Sequence, residues 1–336
     1  MSGVDKINVR GDPRVERRSA RVNGKTYSYL YSVPESGKYT ATIFLIHGFP
    51  DLSMAWRYQI PMLRNKGLRV VAPDCLGYGQ TDAPYAVEPY SNKSCADDIK
   101  ELAAQLGAPK IIVGGHDWGA FLAYRIALWH PDLVTHVFTV CVPYAAPIKT
   151  YMPIEQMVAT ITPHFGYQVQ FVRGELEKLR SKDEMKLFLS TLYGGRTGSG
   201  EVAFSVHDGV LLDKMFQVRP SRLLTDEELD YYAEEFARNG LHGPFNWYRT
   251  REVNFHDELP ILDRRISCPV LFIQALRDAA LPPHLGKGMM KAIPHLAFKQ
   301  VDTAHWALWE KPQQVNEILA WWLDDVVFKD PRDLKL

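Results

Sequence analysis

The first part of the chain alternates short apolar runs with a helical pattern. Five runs have the β-branched and aromatic character of strands, and they fall at residues 27–31, 40–46, 68–72, 111–113 and 137–142. Between them, residues 94–107 carry apolar side chains at helical spacing, at Ile99, Leu102, Ala103 and Leu106. Buried strands that alternate with helices are typical of a mainly parallel sheet covered on both faces. The pattern therefore predicts an α/β fold.

The pattern changes after Pro143. Residues 144–262 have a helical pattern, and they are rich in aromatic and charged residues with several interrupting prolines. A glycine-rich stretch at residues 194–200 lacks the Lys-Ser/Thr ending of a phosphate-binding loop, so we interpret it as a mobile loop.

Strand-like sequence resumes at residues 268–273 and 297–301, and residues 315–323 again have a helical pattern. We therefore predict one α/β core made of residues 1–143 and 263–336. Residues 144–262 are predicted to be an insertion, which forms a helical lid over the carboxyl ends of the strands, where open sheets of this kind bind ligands.

The composition narrows the kind of partner to expect. The 336 residues are 46% hydrophobic, which is enough for one sizeable core with an insertion. Lys+Arg and Asp+Glu are equal at 39 each, so the chain has no electrostatic footprint for nucleic acid or an anionic membrane. The basic residues within 14–25 are interrupted by apolar ones, and we interpret them as the solvated face of a first strand. No apolar run reaches the length of a membrane span. Composition gives no indication of oligomeric state.

The cysteines and the two termini bear on the compartment. The four cysteines have no framework spacing, so we expect free, mostly buried thiols in a reducing environment, at Cys75, Cys95, Cys141 and Cys268. The first residues contain no apolar segment typical of a secretory signal, which favours a cytoplasmic location. The last three residues, Leu334-Lys335-Leu336, are similar to a Ser-Lys-Leu peroxisomal address but lack its small first residue. A peroxisomal location is therefore the less favoured alternative.

The most informative motif is the sequence Gly-His-Asp-Trp-Gly at residues 115–119. It follows the apolar run 111–113 and precedes the helical stretch 120–128, which is the context of a nucleophile elbow. The glycines allow a sharp turn that exposes the middle side chain. That side chain is Asp117 rather than serine, and a carboxylate that attacks an electrophilic carbon forms an ester with the enzyme. The motif therefore favours hydrolysis at saturated carbon, as in epoxides or alkyl halides.

An ester on Asp117 needs a general base to activate water, and histidine suits that task near neutral pH. His305 follows a late strand, and Asp278 follows the strand before it, in the order nucleophile, acid, histidine. Asp278 would hold the imidazole tautomer and stabilise the imidazolium. Each residue also has a plainer interpretation: Asp117 as a helix cap, His305 as a core histidine and Asp278 as a turn residue.

Hydrolysis of the ester passes through an oxyanion, which backbone amides stabilise in this kind of site. The expected donors are the amides of Trp118, directly after the nucleophile, and Phe49, in the loop after an early strand. Gly48 permits the bend of that loop, and Pro50 fixes it, for example through a cis bond. We interpret His47 as a structural residue behind the loop.

The chain resembles the soluble type of epoxide hydrolase, with its α/β-hydrolase fold. The resemblance covers residues 27–323 and rests on His47-Gly48-Phe49-Pro50 with Trp56-Arg57-Tyr58-Gln59, Gly77-Tyr78-Gly79, the 115–119 motif, Asn246-Trp247-Tyr248-Arg249, and His305-Trp306 followed by Glu310-Lys311-Pro312. After the acid, Ala279-Ala280 stands where the family has larger residues. That departure concerns pocket packing more than the role of Asp278.

The resemblance implies two lid tyrosines that donate hydrogen bonds to the epoxide oxygen. Tyr248 matches the family motif, and Tyr167 is our choice for the second, with three rivals in Tyr144, Tyr151 and Tyr193. A phenol stays protonated at neutral pH and can therefore donate to the alkoxide that ring opening creates. Together with Phe49 and Trp118, these tyrosines are expected to line an apolar pocket for a lipophilic epoxide. The products are vicinal diols, and the chemistry needs water but no metal or organic cofactor.

Two alternatives stay open at this point. A haloalkane or haloacid dehalogenase uses the same Asp-His-Asp triad, with the Trp118 indole as a halide donor, but it has no need of phenol donors such as Tyr248. A lidded relative that binds a small ligand without turnover is of a different class, and the intact triad disfavours it. For an epoxide hydrolase, three physiological roles also stay open, namely detoxification, fatty-acid epoxide metabolism and secondary metabolism.

Overall fold

The computed structural model describes residues 3–329, and it begins with the larger part of an α/β core. Six strands belong to this part, namely β1 (Glu16–Val22), β2 (Lys25–Ser32), β3 (Ala41–Ile46), β4 (Leu68–Pro73), β5 (Ile111–His116) and β6 (Val134–Val140). Three helices accompany them, namely α1 (Ile60–Asn65), α2 (Asn92–Gln105) and α3 (Trp118–Trp129). Strands β3, β4 and β5 are buried along their whole length, as expected for the interior of a sheet covered on both faces.

A mainly helical segment follows β6. Its helices are α4 (Ile154–Thr160), α5 (Gly166–Arg173), α6 (Lys182–Leu192), α7 (Leu212–Met215), α8 (Asp226–Asn239), α9 (His242–Arg249) and α10 (Arg251–Glu258). A two-stranded hairpin that the sequence pattern did not predict lies between α6 and α7, formed by β7 (Phe204–Ser205) and β8 (Gly209–Val210). Helices α6 and α8 each begin with a capping box, in which a hydroxyl side chain accepts from the third backbone amide of the helix. We call residues 144–262 the lid, and its exact boundaries stay a prediction.

The chain then returns to the core. The elements of this last part are β9 (Val270–Ala275), α11 (Met289–Ala292), β10 (Leu296–Val301), α12 (Ala307–Glu310) and α13 (Pro312–Trp322). Within residues 3–329, no helix combines the length and the apolar character needed to cross a membrane.

The main sheet has eight strands in the order β1-β2-β4-β3-β5-β6-β9-β10. Strands β1 and β2 pair antiparallel at one edge, β2 pairs antiparallel with β4, and the remaining neighbours are parallel. The predicted α/β-hydrolase architecture is therefore confirmed. Because β3, β5, β9 and β10 run in one direction, the loops after them meet at the same edge of the sheet. Those four loops carry Phe49, Asp117, Asp278 and His305.

Candidate active site

The turn between β5 and α3 holds Asp117 in an unusual backbone conformation. Its φ of 53° and ψ of −125° are strained for a residue with a side chain. A Cβ on Gly115 would collide with the backbone of Gly119, and a Cβ on Gly119 would collide with the carbonyl of Ile46. Both glycines are therefore required for helix α3 to pack this closely on the sheet, and the turn presents the Asp117 side chain at the carboxyl edge.

Two backbone amides contact the Asp117 carboxylate. The Phe49 amide donates a hydrogen bond to Oδ1 over 2.8 Å, and the Trp118 amide also donates to this carboxylate. A Cβ on Gly48 would collide with the Asp117 side chain, so only glycine allows the loop after β3 to approach this far. The Phe49–Pro50 peptide bond is cis. The structure thus brings together both expected oxyanion donors and the expected nucleophile.

The loops after β9 and β10 place the acid and the histidine together. Asp278 Oδ2 lies 2.7 Å from His305 Nδ1, and His305 Nε2 lies 3.6 Å from Asp117 Oδ2. The other oxygen of Asp278 accepts hydrogen bonds from the amides of Ala280 and Leu281, over 2.9 and 3.0 Å. Asp278 is therefore fixed by its own loop and in turn fixes the His305 ring, since the carboxylate accepts the Nδ1 proton.

Burial and neighbouring charges shift the three pKa values in different directions. Burial disfavours the imidazolium of His305, but Asp278 and Asp117 outweigh that effect and raise its pKa to about 9. Burial tends to raise the pKa of Asp278. The His305 charge and the two backbone amides outweigh that effect and lower its pKa below the ordinary value. Burial raises the pKa of Asp117, although His305 and the amides of Phe49 and Trp118 oppose the rise. The His305 ring is therefore an imidazolium at neutral pH, paired with the Asp278 carboxylate.

Both predicted lid tyrosines lie close to the nucleophile. Tyr248 is buried, and its ring packs edge-on against Trp118 at 5.1 Å and against Phe49 at 5.2 Å between centroids. Tyr167 lies 6.2 Å from Tyr248 by the same measure. Burial and the Asp117 charge raise the pKa of both phenols, and Tyr167 further raises that of Tyr248. Both hydroxyls therefore stay protonated at neutral pH and are able to donate.

The three rival tyrosines have other contacts, either with another aromatic ring or through a hydrogen bond of the hydroxyl. Tyr144 packs against Tyr124, and Tyr151 packs against Phe255. Tyr193 donates its hydroxyl to the Pro50 carbonyl over 2.6 Å, in the loop that carries the Phe49 amide.

A second lid hydroxyl contacts the same loop. Tyr232 donates to Asp51 Oδ1 over 2.8 Å. Burial raises the pKa of Asp51 to about 7. No motif in the sequence singles out Asp51 or Tyr232, because only the folded lid brings them together. Next to them, His47 is buried behind the loop, where Nε2 accepts from the Cys75 amide over 2.9 Å and Nδ1 lies 2.8 Å from the Gly48 carbonyl oxygen.

Aromatic side chains form the wall around the carboxylate. The Phe49 ring contacts Phe171 at 5.1 Å and Phe245 at 5.8 Å, and the Trp118 ring lies 6.2 Å from that of Trp247. Such a wall excludes water and suits an apolar ligand.

Two further residues contact the histidine loop, and the sequence analysis did not identify either as functional. His116 and Cys141 both lie at the backbone carbonyl of His305, with contacts of 2.9 Å from Nε2 and 3.2 Å from Sγ. Metal-ligating atoms of these three residues lie within 4.8 Å of one another. Because His305 Nδ1 is paired with Asp278, and the other two side chains donate to a carbonyl, we interpret the cluster as a hydrogen-bond network.

Comparisons with known proteins agree with this geometry. The family described as the alpha/beta hydrolase fold matches residues 41–312. An epoxide hydrolase of Neurospora crassa is 39% identical over 328 residues, covering 92% of this chain and 95% of that protein. A bifunctional epoxide hydrolase of Rattus norvegicus is 35% identical over 292 residues, covering 84% of this chain and 51% of that protein. The chain therefore spans about half of the bifunctional relative.

Solved structures give the same result. The crystal structure of epoxide hydrolase A from Mycobacterium thermoresistibile superposes with a TM-score of 0.79 at 28% identity, covering 93% of this chain and 98% of that chain. A Vigna radiata epoxide hydrolase mutant superposes with a TM-score of 0.78 at 26% identity, covering 93% and 99%. The chain belongs to the α/β-hydrolase-fold family, among its epoxide hydrolases.

Proposed function

We propose that this protein hydrolyses lipophilic epoxides to vicinal diols through a covalent ester on Asp117. The main support for the proposal is that backbone amides, an imidazole and two phenols surround the Asp117 carboxylate. Two backbone amides contact Asp117, His305 Nε2 lies 3.6 Å from it, and two protonated lid phenols lie near it. The epoxide hydrolases among its relatives support the same reaction class.

In the first step, Asp117 Oδ2 attacks one epoxide carbon. Oδ1 already accepts from the Phe49 amide, which leaves Oδ2 to form the new C–O bond. The ring C–O bond breaks, and its electron pair goes to the epoxide oxygen. That oxygen is a poor leaving group as an alkoxide, so Tyr248 or Tyr167 supplies a hydrogen bond and then a proton. The high pKa values of these phenols keep the donors protonated until the alkoxide develops.

In the second step, water hydrolyses the ester. Alkylation removes the negative charge of Asp117, and with it one of the groups that raise the pKa of His305. The imidazolium therefore releases its proton more readily in the ester than in the resting enzyme, and that proton restores the phenol that donated in the first step. The neutral ring then takes a proton from water. The resulting hydroxide attacks the ester carbonyl carbon, and negative charge develops on Oδ1 beside the amides of Phe49 and Trp118. Collapse releases the diol and restores the carboxylate.

The lid and the surroundings complete the proposal. The aromatic wall formed by Phe49, Phe171 and Phe245 favours lipophilic substrates, with the lid closing over the sheet edge. We propose a cytoplasmic location, which the free cysteines support. The alternative peroxisomal address at residues 334–336 lies outside the described residues.

The test is to trap the ester. His305→Gln removes the base and should slow hydrolysis by about 10²–10⁴-fold, so the ester accumulates. The variant is mixed with aryl and alkyl epoxides and with haloalkanes, and adducts are located by intact and peptide mass spectrometry. The expected result is an added mass equal to the whole epoxide on the peptide that contains Asp117.

Two controls decide between the other outcomes. Asp117→Asn combined with His305→Gln should form no adduct with any compound. An alkyl adduct that forms only from haloalkanes would assign the protein as a dehalogenase instead. If no compound forms an adduct although the parent enzyme turns over an epoxide, then Asp117 is not a nucleophile.

A further inference from the structure

The backbone carbonyl of His305 lies between two buried donors from the sheet. His116 Nε2 is 2.9 Å from this oxygen, and Cys141 Sγ is 3.2 Å from it. A carbonyl oxygen only accepts, so both side chains donate, and the proton of His116 is on Nε2. His116 is the last residue of β5, next to the nucleophile, and Cys141 directly follows the neighbouring strand β6. The two contacts therefore join the catalytic histidine loop to the strands that carry the rest of the site.

These donors differ from the other contacts of the loop. Glu310 accepts hydrogen bonds from the amides of Ala304 and Trp306, on either side of the histidine, and thereby shapes the loop locally. Glu310 belongs to the helix that follows the same loop, so it does not fix the position of the loop relative to Asp117. His116 and Cys141 do so, because each is buried in the sheet, with 1% and 2% of its surface exposed.

His116 is suited to this role because it stays neutral. Its ring lies 4.9 Å from the His305 ring between centroids. Burial and the His305 charge lower the pKa of His116 to about 3, so the ring carries no charge at neutral pH. A cation here would repel the His305 imidazolium, whereas a neutral donor holds the carbonyl without that charge repulsion.

We propose that His116 and Cys141 are positioning residues for the general base, which hold His305 Nε2 at the correct place for ester hydrolysis. The inference rests on the proposed covalent mechanism. The positioning role predicts different effects on the two steps. Asp117 attacks without help from a precisely placed imidazole, whereas hydrolysis depends on the base reaching its water. Losing either donor should therefore slow hydrolysis selectively and leave alkylation nearly unchanged.

The test compares a disruptive and a conservative variant at each position. Cys141→Ala and His116→Leu remove the donor, while Cys141→Ser and His116→Gln keep one. Single-turnover mixing with an epoxide that the parent enzyme hydrolyses gives the alkylation and hydrolysis rates separately, and intact mass spectrometry gives the fraction of enzyme present as ester. Loss of one donor should slow hydrolysis about 5- to 10-fold, with alkylation within about 2-fold of the parent. The ester fraction should rise, and the conservative variants should recover most of the hydrolysis rate.

The matched control is Cys95→Ala, another buried thiol, whose sulfur lies 3.8 Å from the Pro89 carbonyl in the core. It should leave the ester fraction unchanged. The proposal is overturned if alkylation and hydrolysis fall together, or if Ser and Gln recover no more than Ala and Leu. An absence of ester in the parent, in these variants and in His305→Gln would refute the covalent mechanism itself. Retained alkylation with no trapped ester in the positioning variants alone would refute only the positioning role.

Discussion

Replacing Asp117 by Asn should lower the pKa of His305 in the resting enzyme. Burial alone would hold that pKa below the ordinary value of 6.5, and the neighbouring carboxylates instead raise it to about 9. The net rise corresponds to about 3 kcal/mol in favour of the imidazolium. Asp278 has the larger share because it hydrogen bonds to Nδ1 over 2.7 Å, whereas Asp117 acts through charge at 3.6 Å. Asp117 therefore has the smaller share, and its neutralisation should lower the His305 pKa below about 9.

The assay is an NMR titration of the histidine ring carbons from pH about 6 to about 10, a range that covers the ordinary and the raised values. The His305 signal is assigned by its loss in His305→Gln. A matched control is Asp97→Asn, because Asp97 lies 2.9 Å from His130 Nε2 and should leave His305 unchanged. A His305 pKa that stays near 9, or rises, in Asp117→Asn would refute the argument that alkylation of Asp117 prepares the base for hydrolysis.

Three other predictions follow from the same site. Gly48→Ala should reduce kcat at least about 100-fold, because its methyl group would displace the loop that carries the Phe49 amide. Gly198→Ala, whose methyl group would meet only the end of the Arg219 side chain, should keep full activity, and steady-state kinetics check both. Tyr248→Phe should lower kcat/KM for aryl epoxides about 10- to 100-fold, while Tyr151→Phe should not, and equal activities would contradict a donor role. His305 has a raised folded-state pKa, so its charged form stabilises the fold fully below about pH 6.5 and loses that contribution as the pH rises through about 9. Urea unfolding of the parent and His305→Gln should therefore differ most below pH 6.5 and least above pH 9, and a gap that widens with pH would contradict this assignment.

The sequence predicted the core strands well but misplaced several of their ends. The run at residues 111–113 continues as strand to His116, and the pattern missed this because Gly114 and Gly115 have no apolar side chains. Strand β6 ends at Val140 rather than at residue 142, because Cys141 has a φ of 70°, outside the β region. Strand β9 begins at Val270, after a proline that has no amide to donate. The hairpin of β7 and β8 has two residues per strand, which is too short to produce a periodic pattern.

The meeting of the predicted site residues could be expected from the order of the elements, whereas the contacts around them could not. Asp117, Asp278 and His305 each follow a strand, and because parallel strands end at one edge, their meeting there could be expected from the order of elements. The contacts of His116 and Cys141 depend on the loop after β10 reaching across to β5 and β6. That approach is set by the strand order of the folded sheet, which periodicity along the chain does not encode.

Two hydroxyls of the lid donate to the loop after β3, and these contacts limit how the lid can be exchanged between related proteins. Tyr193 donates to the Pro50 carbonyl and Tyr232 donates to Asp51, directly beside the amide of Phe49. A lid transplanted from a relative to change substrate preference would bring its own side chains to these two acceptors. Unless it restores both hydroxyls, the exchange alters the support of the oxyanion loop as well as the pocket. Chimaeras should therefore move residues 49–51 together with the lid, because the two segments are hydrogen bonded to each other although strands β4 to β6 and helices α1 to α3 separate them along the chain.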